Sequence, residues 1–214
     1  MRVQRLTPSG VAGLLLMTVL APSAIAVDLF DEIYARGKPL ESSLKTLTAR
    51  FTETSQSPLL AKPLVARGTL VVVRPSRVAL LYSEPDSRTV IIDAGKLRVV
   101  WPSRAIDRTA SVATMERRIQ QYFADKSPAQ LRSHFDIDAR VADDRPAAWF
   151  LSFSPKRKQI KEGLARLDLW INRDTVMLSA LRMTFPGGDT KLMEFEDVRM
   201  NPSIDEAVFR AATP

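Results

Sequence analysis

The sequence predicts an antiparallel, β-rich α+β domain, and three observations lead there. Residues 68–101 (GTLVVVRPSRVALLYSEPDSRTVIIDAGKLRVVW) hold four β-branched or apolar runs separated by polar turn residues, the pattern of an antiparallel meander. The second half of the chain repeats that pattern. Helical periodicity is confined to the N-terminal region and to the middle of the chain. Together these give roughly ten or eleven strands and three or four helices. The chain has 214 residues, 45% of them hydrophobic, enough for one domain with a sizeable core.

The first residues read as a leader. Arg2 and Arg5 form a basic start, residues 11–20 (VAGLLLMTVL) an apolar stretch, and Ala24-Ile25-Ala26 a small-x-small cleavage site. This is the layout of a secretory signal peptide over residues 1–26, too short for a spanning helix. The mature domain is then 27–214, and export to the periplasm is the expected localisation. There is no cysteine, so the sequence offers no disulfide, thiolate nucleophile, thiolate metal site or lipid-anchor cysteine. The net charge is +7. Basic proteins favour anionic partners. An exported chain rarely meets nucleic acid, which leaves a membrane surface or an acidic partner.

Asp28 can cap a first helix that runs to Arg36 and ends at Gly37. Pro39 suits the first turn of a second helix with Leu40, Leu44 and Leu47 as its stripe. Residues 49–56 alternate as a strand, and 57–63 form a loop. The four runs of the meander are 70–73, 78–82, 89–92 and 97–101. Residues 104–110 fit either a strand or a loop. Residues 111–124 carry the clearest helical pattern, with Val112, Met115, Ile119, Tyr122 and Phe123 on one face. Ser127-Pro128-Ala129-Gln130 is a capping box that opens a short helix to His134. Strands follow at 135–142, 147–153, 164–171, 177–185 and 190–198, and a last short one holds Val208 and Phe209. Turns sit at 172–174 and 186–189.

Parity sorts the strands into faces. Leu70, Val72, Val78, Leu80, Tyr82, Val90 and Ile92 share one apolar face, and Arg74 lies on it too, which is odd for a core position. In the second half Leu167, Leu169 and Ile171 oppose Arg166, Asp168 and Trp170, while Leu181, Met183 and Phe185 oppose Arg182 and Thr184. One face therefore surrounds something apolar, and the other reads as mostly solvated. Helices alone, or helices and a ligand, would satisfy the first face.

Catalytic patterns are missing. His134 is the lone histidine and reads as a solvated helix-end residue. No Gly-x-Ser-x-Gly elbow, phosphate-cradling glycine loop or calcium loop occurs. Asp136/Asp138 and Asp143/Asp144 read as exposed. Lys156-Arg157-Lys158 reads as a solvated loop or as contact with an acidic partner or membrane. Binding without catalysis, cofactor or metal is the expectation.

Several of these residues resemble the LolA family, the periplasmic carriers of outer-membrane lipoproteins. They are Phe51-Thr52, Gly68-x-Leu70, Arg74-Pro75, Tyr82-x-x-Pro85 and Ile92-Asp93, with Leu97 and Pro102. The turn at Asn172-Arg173-Asp174 and the closing Val208-Phe209 also match. The resemblance implies an unclosed antiparallel half-barrel with a helical lid over its concave apolar face. It implies that Arg74 latches the lid by hydrogen bonds to lid carbonyls, and that acyl chains bind between sheet and lid. Leu70, Val72, Val78, Leu80, Tyr82, Val90, Ile92, Leu167, Leu169, Leu181 and Met183 would line the sheet side. Met115, Ile119 and Phe123 would line the lid side. The implied partners of this monomer are acylated lipoproteins, an inner-membrane lipoprotein-releasing transporter and an outer-membrane acceptor. Two departures bear on the cargo. Val78 and Leu80 stand where the family usually has aromatic residues, and Asp93-Ala94-Gly95 replaces Asp-Gly. A carrier of another lipid or glycolipid, and a periplasmic sensor or regulator on the same fold, are the alternatives.

Overall fold

The computed structural model describes residues 28–124 and 126–210. The expected signal peptide, 1–26, lies outside them. All eleven strands form one antiparallel sheet. They are β1 (Thr46–Gln56), β2 (Leu64–Val73), β3 (Arg77–Glu84), β4 (Arg88–Asp93), β5 (Lys96–Trp101), β6 (Ile106–Ser111), β7 (Phe135–Val141), β8 (Ala148–Pro155), β9 (Arg166–Asn172), β10 (Leu178–Thr184) and β11 (Thr190–Met200). Their order is β6-β5-β4-β3-β2-β1-β11-β10-β9-β8-β7. Every neighbouring pair but one is also consecutive in sequence. The exception is the seam of β1 with β11, from Leu47↔Met200 to Gln56↔Thr190. β6 and β7 remain as free edges, so the sheet is an unclosed half-barrel.

The predicted faces follow the register. Leu80 pairs with both Leu70 and Val90, and Val78 with both Val72 and Ile92. On the other side Leu181 pairs with Leu169 and Met193, and Leu169 with Leu151. Phe51 and Glu53 of β1, opposite Phe195 and Met193, join the two halves. One apolar face thus runs across the whole sheet.

Among the described residues four helices accompany it: α1 (Leu29–Ser43), α2 (Ala113–Tyr122), α3 (Pro128–His134) and α4 (Lys158–Lys161). Asp28 caps α1, its carboxylate accepting from the Phe30 amide at 2.9 Å. The expected break at Gly37 and second helix from Pro39 are corrected: α1 is continuous, with Pro39 inside it. Proline there removes one intrahelical donor. That loss is outweighed by anchorage, because Phe30 and Ile33 are buried beside Trp149, Leu151 and Phe153. Leu44 is the C-cap and Leu47 belongs to β1, so the expected stripe of Leu40, Leu44 and Leu47 does not form. The Ser127 capping box and the helix to His134 are as read from the sequence. Of the run Lys156-Arg157-Lys158, read as a loop, Lys158 instead opens a turn of helix, Lys158–Lys161, anchored by buried Ile160.

The opposite face is not mostly solvated, which corrects the parity reading. Val71, Ala79 and Ile91 are buried there beneath Ile204, Val208 and Phe209. Val208 and Phe209 lie in a 3-10 turn, Glu206–Phe209, and not in a strand. Arg77 holds that turn, its guanidinium donating to Glu206 at 2.7 Å and stacking 4.0 Å from the centre of the Phe209 ring. Further along, Asp168 is fully buried, accepting from Arg182 and Ser152 at 2.7 Å each, and Trp170 is buried against Phe150. Arginines that read as solvent-facing in the sequence are the cover for this carboxylate and indole.

Candidate functional site

The chain leaves the sheet at β6 and returns at β7, and α2 spans the open side between them. At its start the Val112 amide donates to the Gly95 carbonyl at 2.8 Å. Gly95 lies in the β4–β5 turn with φ +75°, and a Cβ there would come 3.2 Å from the Cβ of Ala113. At the other end Phe123 packs on Phe135, ring centres 4.6 Å apart, and Tyr122 packs edge-on to His134. The helix is thus held at both ends and stands over the apolar face.

Between α2, the α4 region and β9–β10 lies a cavity of about 700 Å³. Met115, Ile119, Phe123, Leu167 and Met183, all expected to line a binding space, line it. Phe185 joins them, together with Tyr122, Ile160 and Leu164. Met115 and Ile119 are each half exposed, an unusual state for large apolar side chains unless something covers them. Leu169 lies on the same face but is packed into the cluster beneath α1. Leu70, Leu80, Tyr82, Val90 and Leu181 surround Phe51 and Met193 in a neighbouring cluster. Val72, Val78 and Ile92 extend that face and are half-buried. The expected sheet-side residues therefore share one face, and two of them, Leu167 and Met183, border this cavity.

Arg74 follows β2 at the edge of this face. Its guanidinium donates to the Glu41 carbonyl oxygen at 3.5 Å and lies 3.9 Å from the Glu41 carboxylate. The helix it touches is α1, not α2.

A polar group interrupts the apolar face. Glu53 is 4% exposed, and its carboxylate accepts from the Tyr82 hydroxyl at 2.7 Å. Lys191 lies 3.0 Å and Arg88 3.9 Å away. Burial on its own raises the Glu53 pKa, but the hydrogen bonds from Tyr82 and Lys191 and the charges of Lys191 and Arg88 outweigh it and hold it below the usual value. Burial, with donation to Glu53, pushes Tyr82 up to about 12. Arg88 stacks 3.9 Å from the Tyr82 ring centre. The result is a closed, satisfied ion cluster set among apolar side chains. Sequence reading missed it, although Glu53 at the same parity as Phe51 was the signal.

His134 is half-buried and not freely solvated, which corrects its reading. Its Nδ1 accepts from Arg157 at 3.0 Å, and burial together with the charges of Arg157 and Lys126 lowers its pKa. It sits behind Tyr122, outside the cavity lining.

An open antiparallel half-barrel, covered by helices around an apolar cavity, is the architecture of the LolA-like class. The family described as outer membrane lipoprotein carrier protein LolA matches residues 42–212, and this chain belongs to that family. It is a carrier family rather than an enzyme family. No curated protein sequence matches the chain. Among solved structures, an uncharacterized conserved protein from Thermus thermophilus aligns with a TM-score of 0.52 at 10% identity, covering 87% of this chain and 95% of that one. A putative outer membrane lipoprotein-sorting protein domain from Vibrio parahaemolyticus gives 0.45 at 9% identity, covering 83% and 94%. The MucA/MucB complex of Pseudomonas aeruginosa gives 0.45 at 16% identity, covering 85% of this chain and 61% of that one. Likeness at these identities speaks for the fold alone.

Proposed function

We propose that this protein is a periplasmic carrier that shelters the acyl chains of lipoproteins between its half-barrel and its helices, moving them from the inner to the outer membrane without chemistry of its own. The observation that carries this reading is the apolar cavity under α2, bordered on the sheet side by Leu167 and Met183 and on the helix side by half-exposed Met115 and Ile119.

The energetics make a carrier necessary. A triacylated lipoprotein has roughly 45 methylenes, and at about 0.8 kcal/mol each their exposure to water costs some tens of kcal/mol. The cavity, about 700 Å³, has the size of a site for one small ligand. Loading several chains requires α2 to lift from the sheet and open the face beneath it. Arg74, bonded to the end of α1, is the candidate latch for the empty form. A transporter at the inner membrane and an acceptor at the outer membrane would serve as donor and receiver.

A second reading concerns the cargo only. Val78 and Leu80 leave more room than aromatic side chains at those positions, which suits a bulkier lipid or glycolipid. Mass spectrometry of what co-purifies with the exported protein from its native periplasm separates these readings. A triacylated peptide or lipoprotein supports the first, and a glycolipid or phospholipid supports the second. An empty protein after gentle isolation overturns both.

A further inference from the structure

The β1–β2 hairpin, in its loop and in the first residues of β2, presents apolar side chains to solvent. Leu59 is 94% exposed, and Leu60, Leu64 and Val65 are exposed as well. Single exposed leucines are ordinary, but four large apolar residues within seven positions of one hairpin are not. The loop is also built rather than loose. The Leu60 amide donates to the Ser57 carbonyl at 3.0 Å, and the Leu59 amide to the Ser57 hydroxyl at 3.3 Å. No acidic residue occurs between Glu53 and Glu84, whereas Lys62 and Arg67 do.

The hairpin stands at the cavity's end of the molecule. Pro58 lies against Gly188, in the β10–β11 turn that also carries Phe185 of the cavity lining. On the far side of the cavity are Arg118 of α2 and the α4 region, with exposed Lys158 and Lys161. The apolar hairpin thus adjoins one border of the cavity through Pro58 and the Phe185–Gly188 turn, and cations stand at or beside its other borders: Arg118 in the lining, and Lys158 and Lys161 flanking Gln159 and Ile160. A protein partner of ordinary stability would need some 20–30 contacting residues. A bilayer needs only a few apolar side chains at the acyl boundary and cations among its phosphates.

We propose that this end of the protein is a membrane-docking surface: Leu59 and Leu60 enter the acyl boundary of an anionic phospholipid bilayer, and Lys62, Arg118, Lys158 and Lys161 meet its phosphates. The position of the cavity mouth beside the bilayer has meaning through the carrier reading; the docking itself does not depend on it.

The test is co-sedimentation of the exported protein with vesicles of phosphatidylethanolamine and phosphatidylglycerol, against vesicles of phosphatidylcholine. Binding to the anionic vesicles is expected. Leu59→Asp with Leu60→Asp should lower the partition by about tenfold or more. Lys158→Gln and Lys161→Gln should lower it roughly fivefold each, with the loss fading at high salt. Leu59 is nearly fully exposed, so the leucine variants keep the fold, which circular dichroism verifies. Equal sedimentation of the leucine variant and the parent, or no sedimentation of the parent, overturns the proposal. The cargo recovered with the same variant separates the two ideas. Retained cargo with lost vesicle binding supports docking and leaves the carrier reading standing. Lost cargo with vesicle binding intact overturns this docking role for the leucines.

Discussion

The Arg74 guanidinium, one residue past β2, donates to the carbonyl oxygen of Glu41 in the last turn of α1. A helix C-terminus carries partial negative charge on its unpaired carbonyls, and an exposed cation there contributes about 0.3–1 kcal/mol. Arg74→Leu should therefore lower the unfolding free energy by less than about 1 kcal/mol in a urea titration, while changing the rate at which cargo leaves. If the variant loads and releases cargo at the parent rate, Arg74 is no latch.

Glu53 is buried and held by Tyr82, Lys191 and Arg88, and removing it leaves the buried Tyr82 hydroxyl without its acceptor, while the two cations are partly exposed to water. Glu53→Ala should cost about 1–3 kcal/mol. Because its folded pKa lies below the ordinary value of 4.5, its carboxylate adds stability above that pH and loses it as pH falls through the folded value. Glu53→Gln should flatten this part of the acid limb in denaturant midpoints measured across that range. An unchanged acid limb would show that ionisation of Glu53 adds no stability to the fold.

Ile119 lies half exposed on α2 and lines the cavity. Ile119→Asp should cost about 1–2 kcal/mol, since half of the residue is already exposed. The same change places a charge where an acyl chain would lie, and should weaken binding of a fluorescent fatty acid by at least about tenfold. Full binding by a folded variant would move the cargo site elsewhere.

Gly68 in β2 has no room for a side chain. A Cβ there would fall 2.2 Å from the Leu81 carbonyl oxygen and 2.9 Å from the Phe51 ring. Gly68→Ala should cost at least about 2 kcal/mol, because the obstructing atom is backbone in the partner strand. Thermal melting would read this as a clear drop in Tm, and an unchanged melting temperature would show that β2 and β3 part without strain.

The meander from β2 to β5 was legible because its signals are local: β-branched runs, turn residues and a period of two. So was α3, whose Ser127 and Gln130 cap each other within four residues. The continuity of α1 through Pro39 was not legible, because it depends on Phe30 and Ile33 meeting β8 from more than a hundred residues away. Asp168 and Trp170 read as solvent-facing for the same reason, since their cover comes from neighbouring strands. In the candidate site, Met115, Ile119 and Phe123 were visible as a helical stripe. Glu53 was not matched to Lys191, which lies on the far side of the seam joining the first and last strands.

The free edges β6 and β7 are consecutive in the chain, and α2 with α3 is the covalent piece between them. Mechanically this makes α2 a leash across the mouth of the half-barrel. As a helix of ten residues it measures about 15 Å; unwound, the same residues reach about 33 Å. The mouth can widen by roughly 18 Å on that slack alone. Among the described residues, the hydrogen bonds given up would be those inside one short helix, and the eleven-strand ladder would keep its own.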